Sequence, residues 1–187
     1  NTSWDKAKFE VVGHKYADLS DHDYGVALLN DCKYGYMVRD NILDLNLLRS
    51  PSNPDPDADK GKHVFTYSLL PHSKDLIRSN VQSEANCLNQ PPLLFEKRAS
   101  TDIQIPISLA GKGLELAVLK KEEKNNGWII RINETLGRLS KGTLLLNGTL
   151  QECDLMEWNN IGEKIQTHEK IDISLSPFEI KTYRFSR

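Results

Sequence analysis

The stretch Tyr24-Gly-Val-Ala-Leu-Leu-Asn-Asp-Cys-Lys-Tyr-Gly-Tyr36, continuing through Leu47-Leu-Arg-Ser-Pro51 to His63-Val-Phe-Thr-Tyr-Ser-Leu-Leu-Pro-His72, decides the fold. Val26 and Leu28 with their apolar neighbours suit a buried strand. Leu43, Leu45 and Leu47 alternate with Asp44 and Asn46 at period two, the spacing of a strand with one wet face. In the third run His63, Phe65, Tyr67 and Leu69 share one face, and Val64, Thr66, Ser68 and Leu70 the other. Three strands joined by two polar loops are a scaffold, and the loops are where chemistry or binding is mounted. The loop from Arg49 to His63 carries Arg49, Asp55, Asp57, Asp59, Lys60 and Lys62, with prolines at 51, 54 and 56. Those prolines fix their own φ and bias their predecessors to extended forms, so a stiff loop is expected.

Working outward, the N-terminal side offers short strands at Phe9–Val12 and His14–Ala17, then a polar turn at Asp18–Asp23. On the other side Ser73 is placed to cap a short helix with Leu76, Ile77, Val81 and Ala85 on one face. Beyond Pro92, short apolar runs recur at 103–109, 114–119, 128–132, 143–146, 171–174 and 178–185. Such spacing predicts a β-sandwich. The expected fold is therefore all-β: an antiparallel sandwich over residues 1–108, a smaller one over 109–187, and one short helix.

Composition narrows the function classes. At 187 residues, 39% hydrophobic and 27% charged, the chain can bury a core and is not a disordered polymer. Its net charge of −2 supplies no basic field, so neither nucleic acid nor an anionic membrane is an expected partner. No apolar run approaches the roughly 20 residues that cross a bilayer. Cys32, Cys87 and Cys153 are odd in number and widely spaced. Cys32 reads as a packed, reduced thiol and the setting as cytoplasmic, where the glycosylation-like triplets at Asn133 and Asn147 carry no meaning.

Several spaced motifs also carry a family resemblance. Asn1-Thr-Ser-Trp-Asp5, Ala7-Lys-Phe-Glu10, Ala17-Asp-Leu-Ser20, Leu28-Leu-Asn-Asp-Cys-Lys-Tyr-Gly35, Leu47-Leu-Arg-Ser-Pro51, Phe65-Thr-Tyr67, Pro71-His72 and the closing Ser176-Pro-Phe-Glu-Ile-Lys-Thr182 resemble the C-terminal part of the α-mannosidases of glycoside hydrolase family 38, above all the cytosolic branch. The resemblance implies the closing part of a large sandwich, then a smaller one, with the chemistry in a preceding catalytic domain. That domain would be this chain's partner and would hold the zinc or other divalent metal, the nucleophilic aspartate and the α-mannosyl oligosaccharide.

The residues themselves leave little room for catalysis here. A retaining glycosidase needs two carboxylates about 5 Å apart. Asp55, Asp57 and Asp59 are the local candidates, yet a solvated acidic loop is the plainer reading, a cleft-rim position the next, and nothing nearby suggests the burial that separates two pKa values. The histidines at 14, 22, 63, 72 and 168 lack metal-ligand spacing, so no metal site is expected within the chain. Arg49 follows an apolar run and precedes the stiff loop. Its guanidinium fork can bridge to Asp55, Asp57 or Asp59, or donate to sugar hydroxyls at the rim of a cleft. Asn1, Trp4 and Asp5 place an aromatic face beside amide and carboxylate groups and complete the rim candidates. Trp128 and Trp158 read as core or edge packing, and Tyr34, Tyr36 and Tyr67 as sheet-face residues with wet hydroxyls. A stand-alone carbohydrate-binding or oligomerisation module, including a homo-oligomer, is the alternative reading.

Overall fold

A computed structural model describes residues 9–94, 96 and 107–186. The chain divides into two compact units, residues 1–96 and 97–187. The sequence boundary near 108 falls inside the second, because Ile107 lies in that unit's core and Ser108 pairs with Leu145 there. Both units are antiparallel β-structures, and among the described residues the one α-helix is short.

The first unit has strands β1 (Val11–Val12), β2 (Tyr16–Ser20), β3 (Tyr24–Asn30), β4 (Gly35–Arg39), β5 (Ile42–Asn46) and β6 (Tyr67–Ser73), with helix α1 (Val81–Asn89). They form two three-stranded sheets, ordered β1-β4-β5 and β2-β3-β6. Ala27 and Leu29 on one face of β3 pack beneath Val81 and Ala85 of α1, with Tyr16, Leu70, Leu76 and Leu88 around them. On the opposite side, buried Asn30 donates its side-chain amide to the hydroxyl of Tyr36, which is 1% exposed. Tyr36 is thus a core residue, not a wet sheet-face tyrosine.

Several sequence expectations shift here for identifiable reasons. The third run becomes a strand only at Tyr67, and continues through Pro71 to Ser73. Proline is tolerated there because β6 is an edge strand, where one face of the ladder needs no N–H. Ser73 pairs with Tyr24 and caps nothing. Lys74 then turns at φ 70°, Asp75 caps a single 3-10 turn at Leu76–Arg78, and α1 begins only at Val81. Asp18, Leu19 and Ser20 lie in β2, not in a turn. Cys32 is exposed in the β3–β4 turn, not packed.

The second unit comprises β7 (Ser108–Ala110), β8 (Leu114–Lys121), β9 (Trp128–Glu134), β10 (Ser140–Leu145), β11 (Gly148–Cys153), β12 (Asn160–Thr167), β13 (Lys170–Leu175) and β14 (Ile180–Ser186). A three-stranded sheet, β13-β10-β7, and a five-stranded sheet, β12-β11-β14-β9-β8, share one core. Ile130 and Ile132 of β9, Leu150 of β11 and Phe185 of β14 meet Leu144 of β10 and Leu175 of β13. Burying each such side chain contributes about 1.5–3 kcal/mol. Strands β11 and β12 are additional to the runs expected from sequence. Among the described residues no helix is long and apolar enough to cross a membrane.

Candidate functional site

The loop between β5 and β6 is fixed by its own acids. Asp59, at φ 61°, turns its carboxylate back to accept the backbone N–H of Ser50 at 2.8 Å and of Arg49 at 3.2 Å. Those bonds, the Ser50 N–H foremost, hold its pKa below the usual carboxylate range despite some desolvation. His63 Nε2 reaches the Asp59 carbonyl at 2.8 Å. Asp55 accepts the N–H of Asp57, and Asp57 pairs with Lys60. The returning end is pinned to the β3–β4 turn. Asp31 accepts the Thr66 N–H at 3.0 Å, which lowers its pKa, and Lys33 lies 4.8 Å above the Phe65 ring.

This geometry separates the candidates. Arg49 and Asp59 are adjacent, but through the arginine backbone. Among the described residues the Arg49 guanidinium forms no ion pair or hydrogen bond, so the bridge to Asp55, Asp57 or Asp59 is absent. The fork stands exposed, with its donors available. Asp55, Asp57 and Asp59 are all exposed. Among the described residues no three His, Cys, Asp or Glu converge as a metal site. Asn1, Trp4 and Asp5 lie outside the described residues.

One polar cluster escaped the sequence reading. Asp18 of β2 and His72 of β6 meet across the intervening β3, Nε2 to Oδ1 at 2.7 Å, with side chains 4% and 3% exposed. Ser20 donates to the other Asp18 oxygen at 2.6 Å. The ring passes over Gly25, where any Cβ would lie 2.5 Å from His72 Cε1. The serine hydroxyl faces aspartate and not histidine, so this is not a nucleophilic triad. The register Ser20–Gly25–His72 is its only sequence signal, and that needs the strand pairing first.

The comparisons with known proteins follow this architecture. Residues 1–57 match the glycosyl hydrolases family 38 C-terminal domain, and residues 113–183 the family 38 C-terminal beta sandwich domain. The chain belongs to glycoside hydrolase family 38. Alpha-mannosidase G of Dictyostelium discoideum is 39% identical over 99% of this family 38 chain, and human Alpha-mannosidase 2C1 is 38% identical over 96%. An alpha-mannosidase of Saccharomyces cerevisiae is 34% identical over 98%. The chain spans only 18–19% of the length of these relatives. The crystal structure of an alpha-mannosidase from Enterococcus faecalis V583 shares the fold, with a TM-score of 0.71 at 18% identity, over 100% of this chain and 22% of that one. A second family 38 protein of Enterococcus faecalis gives 0.72 over 95%.

Proposed function

We propose that this chain is the accessory C-terminal part of a retaining, metal-dependent exo-α-mannosidase acting on oligosaccharides in the cytoplasm. In this reading, the first unit closes a large sandwich that buttresses a catalytic domain, and the second is the small terminal sandwich. The observation that carries the proposal is the near end-to-end likeness to α-mannosidases over less than a fifth of their length. The loop acids agree with it, being exposed where a catalytic pair needs burial. The free thiols at 32, 87 and 153 suit a reducing compartment.

Arg49 is the residue assigned to the cleft rim, with Asp59 as the group that positions its backbone. Binding of sugar hydroxyls by the guanidinium would be made in the full-length enzyme, where zinc or another divalent metal and the nucleophile belong to the catalytic domain. The test is kinetic. Arg49→Ala in the full-length enzyme lowers kcat/KM for an α-mannoside, and an unchanged value removes the rim role. The 187-residue chain alone binds no zinc and turns over no chromogenic α-mannoside; measurable turnover would overturn the accessory reading.

A further inference from the structure

The β11–β12 connection, residues 154–159, displays a tryptophan in the open. Asp154 accepts the backbone N–H of Trp158 at 2.8 Å, that of Asn159 at 3.1 Å, and the Asn159 side-chain amide at 2.8 Å. From the sheet, Arg131 Nη2 donates to the Leu155 carbonyl and to Glu157 Oε1, both at 3.0 Å, while its Nε donates to Thr182 at 3.1 Å. Arg184 donates to the Glu157 carbonyl and to Asn160 Oδ1. Its Nε lies 2.9 Å from Glu122, an ion pair without hydrogen-bond alignment. Glu157 is held at φ 63°, a conformation that side-chain-bearing residues rarely adopt. A loop this firmly tied still leaves Trp158 68% exposed, the reverse of the core or edge packing expected from sequence.

Beside the tryptophan lies an open cavity of about 310 Å³, at the lower end of the roughly 300–1,000 Å³ range of small-ligand sites. Lys120, Lys124 and Arg131 line it with Glu122, Glu123 and Glu157, three cations against three carboxylates. Glu157 is already paired with Lys120 and with Arg131, each at 3.0 Å. An anion or a cation would have to compete with those pairs. A neutral polyol would not, since it can add hydrogen bonds to oriented donors and acceptors and lay an apolar ring face on the indole.

We propose that this cavity is an accessory binding site for a neutral oligosaccharide, with Trp158 as the stacking platform and Lys120, Arg131 and Glu157 as hydroxyl partners. The choice of a sugar rests on reading the chain as part of a glycosidase. The loop is ordered before the ligand arrives, so little is lost in fixing it. The test is an NMR titration of the ¹⁵N-labelled 187-residue chain with linear α-mannotriose, the Trp158 indole N–H being identified by its loss in Trp158→Phe. A saturable shift of that signal and of Arg131 is expected, weakened roughly tenfold in Trp158→Ala and partly retained in Trp158→Tyr. No shift at millimolar sugar, or shifts confined to the Arg49 loop, would overturn the site. So would a response to inorganic phosphate without one to sugar, or a dilution-dependent shift without ligand, which would mark the tip as a contact between copies. Arg49→Ala leaves this titration unaltered, so failure here is separable from failure of the cleft-rim role.

Discussion

His72 Nε2 meets Asp18 Oδ1 at 2.7 Å although β3 runs between their strands, and Gly25 is the residue that lets the ring cross. A methyl group at position 25 would come within 2.4 Å of Ser20 Cβ as well. Gly25→Ala is therefore expected to force the ring aside and loosen a buried polar pair, a loss of about 1–3 kcal/mol. The check is the urea midpoint of the first unit's unfolding. A midpoint within error of the parent's would mean that the ring has room that these distances deny it.

Glu134 organises the second unit in a comparable way. It is 3% exposed and accepts the backbone N–H of Leu136, Gly137 and Phe178 at 2.8–3.0 Å, with the Ser140 hydroxyl at 2.9 Å. Burial pushes its pKa up, but these donors outweigh it and leave the carboxyl below the ordinary glutamate value of 4.5. A depressed folded pKa gives stability that is present above the unfolded value and is lost as pH falls through the folded one. Glu134→Gln should cost about 1–3 kcal/mol at neutral pH, because an amide N–H2 replaces an acceptor among donors. The deficit should shrink below pH 4.5. Thermal unfolding of both proteins from pH 7 to pH 3 decides it, and a pH-independent deficit would show that charge plays no part.

Much of the scaffold was legible because burial wrote it at period two. Leu43 and Leu45 mark β5, and Ile130 and Ile132 with Arg131 between them mark β9. Strand β12 left no such mark. It is the outer strand of its sheet, and every residue from Asn160 to Gln166 is exposed, so no apolar alternation is required of it. Pro71 disguised the end of β6 for the related reason that edge strands admit residues that central ones exclude. Of the rim loop, the charges and prolines could be read, but not that Asp59 would cap a backbone in place of an arginine side chain. The Asp18–His72 pair and the display of Trp158 depend on registers and caps that join residues 54 positions apart or turn a tip outward.

The cysteines divide sharply by environment. Cys32 and Cys87 are exposed and Cys153 is buried. The Cys32 thiol is pushed up, first by its hydrogen bond to Asp31 and then by desolvation, so less of it is thiolate near neutrality. Native protein treated with a chromogenic disulfide should release two equivalents, and the third only after denaturation. Asp31→Ala should speed the Cys32 reaction at pH 7, read from its rate in a Cys87→Ser background. An unchanged rate would mean that the carboxylate does not restrain the thiol.

The rim loop gives the prediction that bears on function. Asp59 holds the N–H groups of Ser50 and Arg49 while leaving the Arg49 side chain unengaged, so under the proposed rim role it would act on substrate by placing Arg49. Asp59→Ala in the full-length enzyme should lower kcat/KM in the same direction as Arg49→Ala but by less. The double variant should be no worse than Arg49→Ala alone, because residues acting through one contact are not additive. Asp59→Asn retains one acceptor oxygen and should recover much of the loss, which a general failure of folding would not permit. Losses that simply add would mean that the two residues serve separate ends, and Asp59 would lose its positioning role.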